Sequence, residues 1–213
     1  MGGHNAGEVA SAMAVETLVG FVKATAGTRE VTWPFPFDHE LSLAANRLLA
    51  GMRLANQKVH DAGRTDAQLA NMGTTMVAAL VDGERVAIAH VGDSRAYRFR
   101  DGRLEPMTRD HTWVAAMLAA EPTARADDHP MRHVLTNGIG MREDVKPALT
   151  EQHVAAGESW LLCSDGVHGY VDNVELARAL SLSSPELVAG AVVRAALDRG
   201  GSDNATAVVL RFV

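Results

Sequence analysis

The sequence predicts an α+β fold built on antiparallel strands, and three observations carry that expectation. Two long stretches with helical apolar spacing open the chain, two hairpin signals follow in direct succession, and the later apolar runs are short and bounded by turn residues. Consecutive hairpins demand antiparallel pairing, which excludes the strand–helix–strand alternation of a doubly wound parallel sheet. With 213 residues, 47% hydrophobic and 22% charged, the chain carries the apolar material for one packed core and reads as a single domain over residues 1–213.

The first helix is expected from residue 7 to about residue 26, where Val9, Met13, Leu18, Phe21 and Val22 recur at helical spacing among Glu8, Glu16 and Lys23. A loop rich in Thr, Gly and Pro follows. Asp38 is then the expected cap of a second helix with the stripe Leu41, Ala44, Leu48, Met52, Ala55 and Val59. Residues 75–81 and 85–90 are β-rich runs joined through Asp82-Gly83, and residues 94–99 and 104–107 repeat the arrangement around Asp101-Gly102. Asp-Gly suits the positive φ angles of a two-residue hairpin turn. Trp113, Val114 and Met117 start a short helix that runs into a surface flap around residues 116–130, expected to be mobile. Residues 160–163 read as a buried strand that stops at Ser164-Asp165-Gly166. Asp172 with Glu175 makes a capping box for a helix through Leu180. Ser184-Pro185-Glu186 opens another helix, which Gly200 closes, and residues 205–213 form the last strand.

Composition narrows the function. A net charge of −6 lacks the dense basic face that a nucleic-acid backbone requires, so no nucleic-acid partner is expected. The single Cys excludes an internal disulfide and a multi-Cys zinc module, and it fits a reducing compartment, so the cytoplasm is expected. Glu8 and Glu16 interrupt the opening stretch and no Lys or Arg precedes Lys23, which argues against a secretory signal. Ala6 stands where a myristoylation signal needs Ser or Thr. No apolar run approaches the roughly 18 residues that cross a bilayer, so no membrane contact is expected.

No phosphate-binding Gly-rich loop ending in Gly-Lys-Ser/Thr, no His-Glu-x-x-His zinc helix and no Gly-x-Ser-x-Gly elbow is present. What remains is acidic residues at strand ends: Asp93 between the hairpins, Asp110 after the second, Asp165 after a buried run and Asp203 before another. Strand ends let carboxylates converge without entering the core, and hard cations such as Mg2+ or Mn2+ take oxygen ligands. Any one of these residues alone reads first as a turn cap. The set has to decide.

The ordered strings Met1-Gly2-Gly3-His4, Gly73-Thr74-Thr75, Val91-Gly92-Asp93-Ser94-Arg95, Ser164-Asp165-Gly166 and Asp203-Asn204-Ala205-Thr206 run from one end of the chain to the other. Together they resemble the metal-dependent protein phosphatases of the PP2C type. The resemblance implies two antiparallel sheets sandwiched between pairs of helices, an αββα arrangement. It implies hydrolysis of phosphoserine and phosphothreonine in proteins by direct attack of a metal-activated water, without a phosphoenzyme. Two Mn2+ or Mg2+ ions are implied, with Asp165 and Asp203 at the metal-binding positions, Asp110 at the position serving a third ion, and His4 at the position of the general acid. The implied partners are phosphorylated Ser/Thr proteins, a cognate Ser/Thr kinase or its substrates among them.

Other residues have structural readings. Asp93 and Arg95 are expected to fix a turn through a local ion pair, and Thr74 and Thr75 to start a core strand. Cys163 reads as a small core residue, not a nucleophile, and His168 as a neighbour of the metal loop, not a ligand. The spacing of His111, His129 and His133 matches no zinc motif.

One departure from the family pattern matters. In the family an Asp-Gly pair precedes Met-Gly-Gly-His, its carboxylate bridging both metals, and a strand and a phosphate-contacting Arg lie further upstream. This sequence starts at that Met. The first expectation is an internal Met assigned as the start of a longer, active protein. The alternative is an N-terminally truncated, catalytically weak or inactive interaction domain, and either way one sheet of this chain is expected to expose an edge. A reading from another class is a metal-independent small-molecule binder that uses the Gly-rich start as an anion nest.

Overall fold

The structure, a computed structural model, describes residues 5–27, 32–123, 129–132 and 134–213. In chain order these form α1 (Asn5–Thr25), α2 (Leu43–Thr65), a 3-10 turn (Ala67–Leu69), β1 (Met76–Asp82), β2 (Arg85–Val91), β3 (Arg95–Arg100), β4 (Arg103–Pro106) and α3 (Trp113–Ala120). They continue through β5 (Ala148–His153), β6 (Ser159–Cys163), α4 (Asp165–His168), α5 (Asn173–Leu180), α6 (Pro185–Asp198) and β7 (Ala207–Arg211).

Side-chain alternation along two central strands produces the layers. In β2, Val86 and Ile88 face one way and Ala87, Ala89 and Val91 the other, all buried; in β6, Trp160 and Leu162 oppose Leu161 and Cys163 in the same manner. Val86, Ile88, Trp160 and Leu162 meet Ala96 in a core between the sheets. The outer faces are covered by helices, Ala87, Ala89 and Val91 by α1 and α2, and Leu161 and Cys163 by α4, α5 and α6. One sheet has the order β1-β2-β5 and the other β4-β3-β6-β7, with every pairing antiparallel. The result is the α+β sandwich of two antiparallel sheets between helices.

The consecutive hairpins lie in different sheets. Val91 pairs with Met76 in the first sheet and Arg95 with Cys163 in the second, so residues 92–94 carry the chain across the sandwich. Gly92 makes that crossing possible. Its φ is +97°, and a Cβ there would stand 2.4 Å from Thr75 Cγ2.

Several local expectations are refined. In the first hairpin Asp82 pairs with Arg85, so the turn falls on Gly83-Glu84, one residue later than Asp82-Gly83, and only Gly83 has positive φ. The second turn does fall on Asp101-Gly102, with φ of +51° and +75°. Ser42, not Asp38, caps α2 by accepting the Ala45 N–H at 3.0 Å; Asp38 is instead held by Asn46, whose Nδ2 donates to its carbonyl at 2.8 Å. Asp172 accepts the Glu175 N–H at 2.9 Å, but the reciprocal half of the capping box does not form, because the Glu175 carboxylate pairs with Arg199. Along α1 the buried face is Ala10, Ala14 and Leu18, while Val9 is exposed. The small Ala10 and Ala14 side chains, with Gly51 making room for Leu18, let α1 lie close on α2.

Three elements are additions, the 3-10 turn at Ala67–Leu69 being one. β5 shows no apolar alternation, because it is a half-buried edge strand, and α4 starts inside the Ser-Asp-Gly string. The flap expectation falls partly on residues 124–128, outside the described residues; the part described is α3, capped by Thr112. Among the described residues β1 and β5 edge one sheet and β4 and β7 the other, and no helix is long and apolar enough to cross a membrane.

Candidate metal centre

Asp165 and Asp203 are brought together by an extension of the β6–β7 ladder. Cys163 and Ala207 are the last strand pair. Beyond it Ser164 takes over: its N–H donates to Thr206 O at 3.1 Å, its Oγ accepts the Thr206 N–H at 3.1 Å, and its hydroxyl donates to Asn204 O at 3.2 Å. Gly166 removes the remaining obstacle, since a Cβ there would stand 2.4 Å from Asn204 O and 3.2 Å from Ala205 Cα. Both carboxylates are exposed, each oriented by a nearby backbone donor. Asp165 Oδ1 accepts the Gly166 N–H at 2.9 Å and Asp203 Oδ1 the Asn204 N–H at 2.7 Å.

The same cleft is lined by Asp93 and Asp110. The second hairpin returns the chain alongside β3, where Met107 N–H donates to Ala96 O and Ala96 N–H to Thr108 Oγ1, and this delivers Asp110 to Arg95. The guanidinium grips both Asp110 oxygens, from Nε at 2.9 Å and Nη2 at 2.8 Å, and its Nη1 donates to Tyr97 Oη at 3.2 Å. The expected Asp93–Arg95 pair is therefore corrected: the partner of Arg95 is Asp110. Burial, and then the charges of Asp165 and Asp110, push the Asp93 carboxyl up to about 6.

Three imidazoles adjoin the backbone of this cluster. His90 and His111 stack with ring centroids 4.7 Å apart, and His90 Nε2 donates to Arg109 O at 2.9 Å. His168 is half-buried and donates from Nε2 to Asp93 O at 2.9 Å. Burial lowers the pKa of all three rings below the ordinary histidine value. His129 stacks on Trp113 with centroids 4.5 Å apart, and His133 lies outside the described residues. Cys163 is buried and its thiol is pushed up to about 12 by burial, which keeps it protonated at neutral pH.

Asp110, Asp165 and Asp203 thus line one cleft, joined by Asp93, while His4 lies outside the described residues. Among the described residues no three His, Cys, Asp or Glu side chains are grouped to hold one ion. The donor set nevertheless suits a hard divalent cation: it is all carboxylate, and the mutual repulsion felt by Asp93 is what a bound cation relieves. Asp93, Ser164, Gly166 and His168 were not among the site residues expected from sequence. The strings holding Asp93, Ser164 and Gly166 were legible, as was the place of His168 next to one of them, but not the contacts they make.

Comparison with known proteins defines the class. The protein phosphatase 2C family model matches residues 1–186, and the chain belongs to that family. It is 34% identical over 215 residues to the serine/threonine protein phosphatase PstP of Mycobacterium tuberculosis, covering 100% of this chain but only 39% of PstP. It is 32% identical to the protein phosphatase PhpP of Streptococcus pneumoniae, covering 99% of this chain and 82% of PhpP. The crystal structure of the PstP catalytic domain in complex with two manganese ions superposes with a TM-score of 0.80 at 32% identity, covering 98% of this chain and 83% of that one.

Proposed function

We propose that this chain, as a single domain over residues 1–213, hydrolyses phosphoserine and phosphothreonine in proteins. Asp165 and Asp203 would hold Mn2+ or Mg2+, Asp110 would serve an accessory ion, and His4 would act as general acid. The observation that carries the reading is that Ser164 and Gly166 lock the Asp165 segment onto the Asn204–Thr206 backbone, so that Asp165 and Asp203 line one cleft with Asp93 and Asp110. Glu8, Asp93, Asp110, Asp165 and Asp203 line the cleft against two guanidiniums, Arg95 and Arg132, and this excess of negative charge disfavours a phosphate dianion unless cations are present. A divalent cation supplies Lewis acidity, acidifying water and neutralising phosphoryl oxygens. The chain's own residues fix where that charge sits. Arg95 orients Asp110, and backbone amides orient Asp165 and Asp203. The two manganese ions of the PstP structure support this assignment. The partners would be phosphorylated Ser/Thr proteins, with a Ser/Thr kinase or its substrates among them, and the compartment would be the cytoplasm.

The absence of a three-ligand group among the described residues favours a second reading, a phosphoprotein-binding domain of the same fold with little turnover. Phosphate release from a phosphothreonine peptide by the full chain in MnCl2, measured beside Asp165→Asn and Asp203→Asn, separates the two. Mn2+-dependent release that both substitutions abolish is expected. Peptide binding without turnover supports the second reading, and a folded chain with neither overturns both.

A further inference from the structure

Two imidazoles hold the backbone of the crossing between the sheets, at adjacent residues and with opposite hydrogen-bond polarity. Gly92 N–H can only donate, and it points at His111 Nδ1 at 3.2 Å, so that nitrogen presents a lone pair. One residue on, the Asp93 carbonyl can only accept, and it meets His168 Nε2 at 2.9 Å, so that nitrogen carries the proton. His111 is itself braced: its N–H donates to Gly92 O at 2.9 Å, Asn137 Nδ2 donates to the same Nδ1 at 3.2 Å, and its ring stacks on His90. His111 adjoins Asp110, and His168 closes the short helix that begins at Asp165. Each ring therefore ties the Gly92–Asp93 backbone to a segment carrying another carboxylate.

We propose that His111 and His168 are positioning residues that fix the Gly92–Asp93 backbone, and through it the spacing of the Asp93, Asp110 and Asp165 carboxylates, each in the single tautomer its partner demands. The inference rests on the reading of this cleft as a cation-dependent phosphatase site. Outer hydrogen-bonding groups of this kind typically change metal affinity 10–100-fold when removed. A role in filling space would be met by any side chain of similar volume. A positioning role needs an acceptor at one ring and a donor at the other.

Amide substitutions separate these roles. Asn places its carbonyl oxygen near the site of an imidazole Nδ1, and Gln places its amide nitrogen near that of Nε2. His111→Asn and His168→Gln are therefore matched, while His111→Gln and His168→Asn are mismatched. In the full chain the matched pair should keep the Mn2+ Kd, by calorimetry, within about threefold of the parent, and the mismatched pair should raise it about tenfold or more. Four variants at the parent value, or losses that track melting temperature alone, overturn the proposal. A parent chain that binds no Mn2+ sinks the phosphatase reading instead. The positioning role is then read from the carboxyl 13C resonances of Asp93 and Asp165: displacement in the mismatched pair alone upholds it, and equal displacement or none in all four variants overturns it.

Discussion

Arg95 holds Asp110 with both prongs of its guanidinium, through Nε at 2.9 Å and Nη2 at 2.8 Å, across a separation of 15 residues in the chain. Fork-to-carboxylate geometry fixes direction as well as distance, so the pair sets where the Asp110 charge faces in the cleft. Both oxygens of Asp110 are engaged by Arg95, so the accessory ion proposed there would have to share them.

Arg95→Ala is expected to cost about 1–3 kcal/mol, because it strips a charged hydrogen-bond partner from a largely buried carboxylate. Arg95→Lys should recover only part of this, since an ammonium cannot span both oxygens. Urea unfolding of the three proteins checks the order; a lysine variant as stable as the parent would show that the fork is immaterial.

At Gly166 the neighbour that would be struck is backbone, the Asn204 carbonyl at 2.4 Å, and it has no flexible end to give way. Gly166→Ala must therefore push the Asp203 loop from α4. A stability loss of about 1–3 kcal/mol is expected, with Mn2+-dependent phosphate release reduced at least roughly tenfold. Thermal melting beside initial rates tests this, and an alanine variant with unchanged rates would mean that the spacing of Asp165 and Asp203 does not matter.

Asp93 gives a pH signature whose sign can be worked out. Its carboxyl is raised from 3.8 to about 6 in the fold, so the folded chain holds this proton more tightly than the unfolded chain. Its contribution is fully present below about pH 4 and is lost as pH rises through about 6, leaving an ionised group that the fold disfavours at neutral pH. Asp93→Asn should therefore raise the Tm of the metal-free protein at about pH 8 and leave it nearly unchanged at about pH 4. Equal shifts at both pH values would mean that packing, not charge, is responsible.

Much of the fold was legible because its signals are local. Asp101-Gly102 makes its turn with positive φ at both residues, and Asp172 and Ser184 cap α5 and α6 through bonds to an N–H three residues on. Such interactions depend on side chains a few residues apart, so order along the chain is enough to read them. The same locality explains the misplaced cap of α2. Ser42 and Asp38 are both competent caps, and the choice turned on Asn46 reaching back to engage Asp38.

The sequence by itself determined the antiparallel hairpins, the ends of α5 and α6, the motif strings that carry Asp165 and Asp203, and the place of Asp110 just after the second hairpin. Tertiary structure decided that the two hairpins part into different sheets at Gly92, that Arg95 turns to Asp110 instead of Asp93, and that Ser164 and Gly166 bring the Asp203 loop to the cleft that Asp165 lines. The reason is physical. A carboxylate's partner is set by strand register and by which backbones can approach to van der Waals contact, and both are properties of segments far apart in the chain that exist only once the sheets have closed.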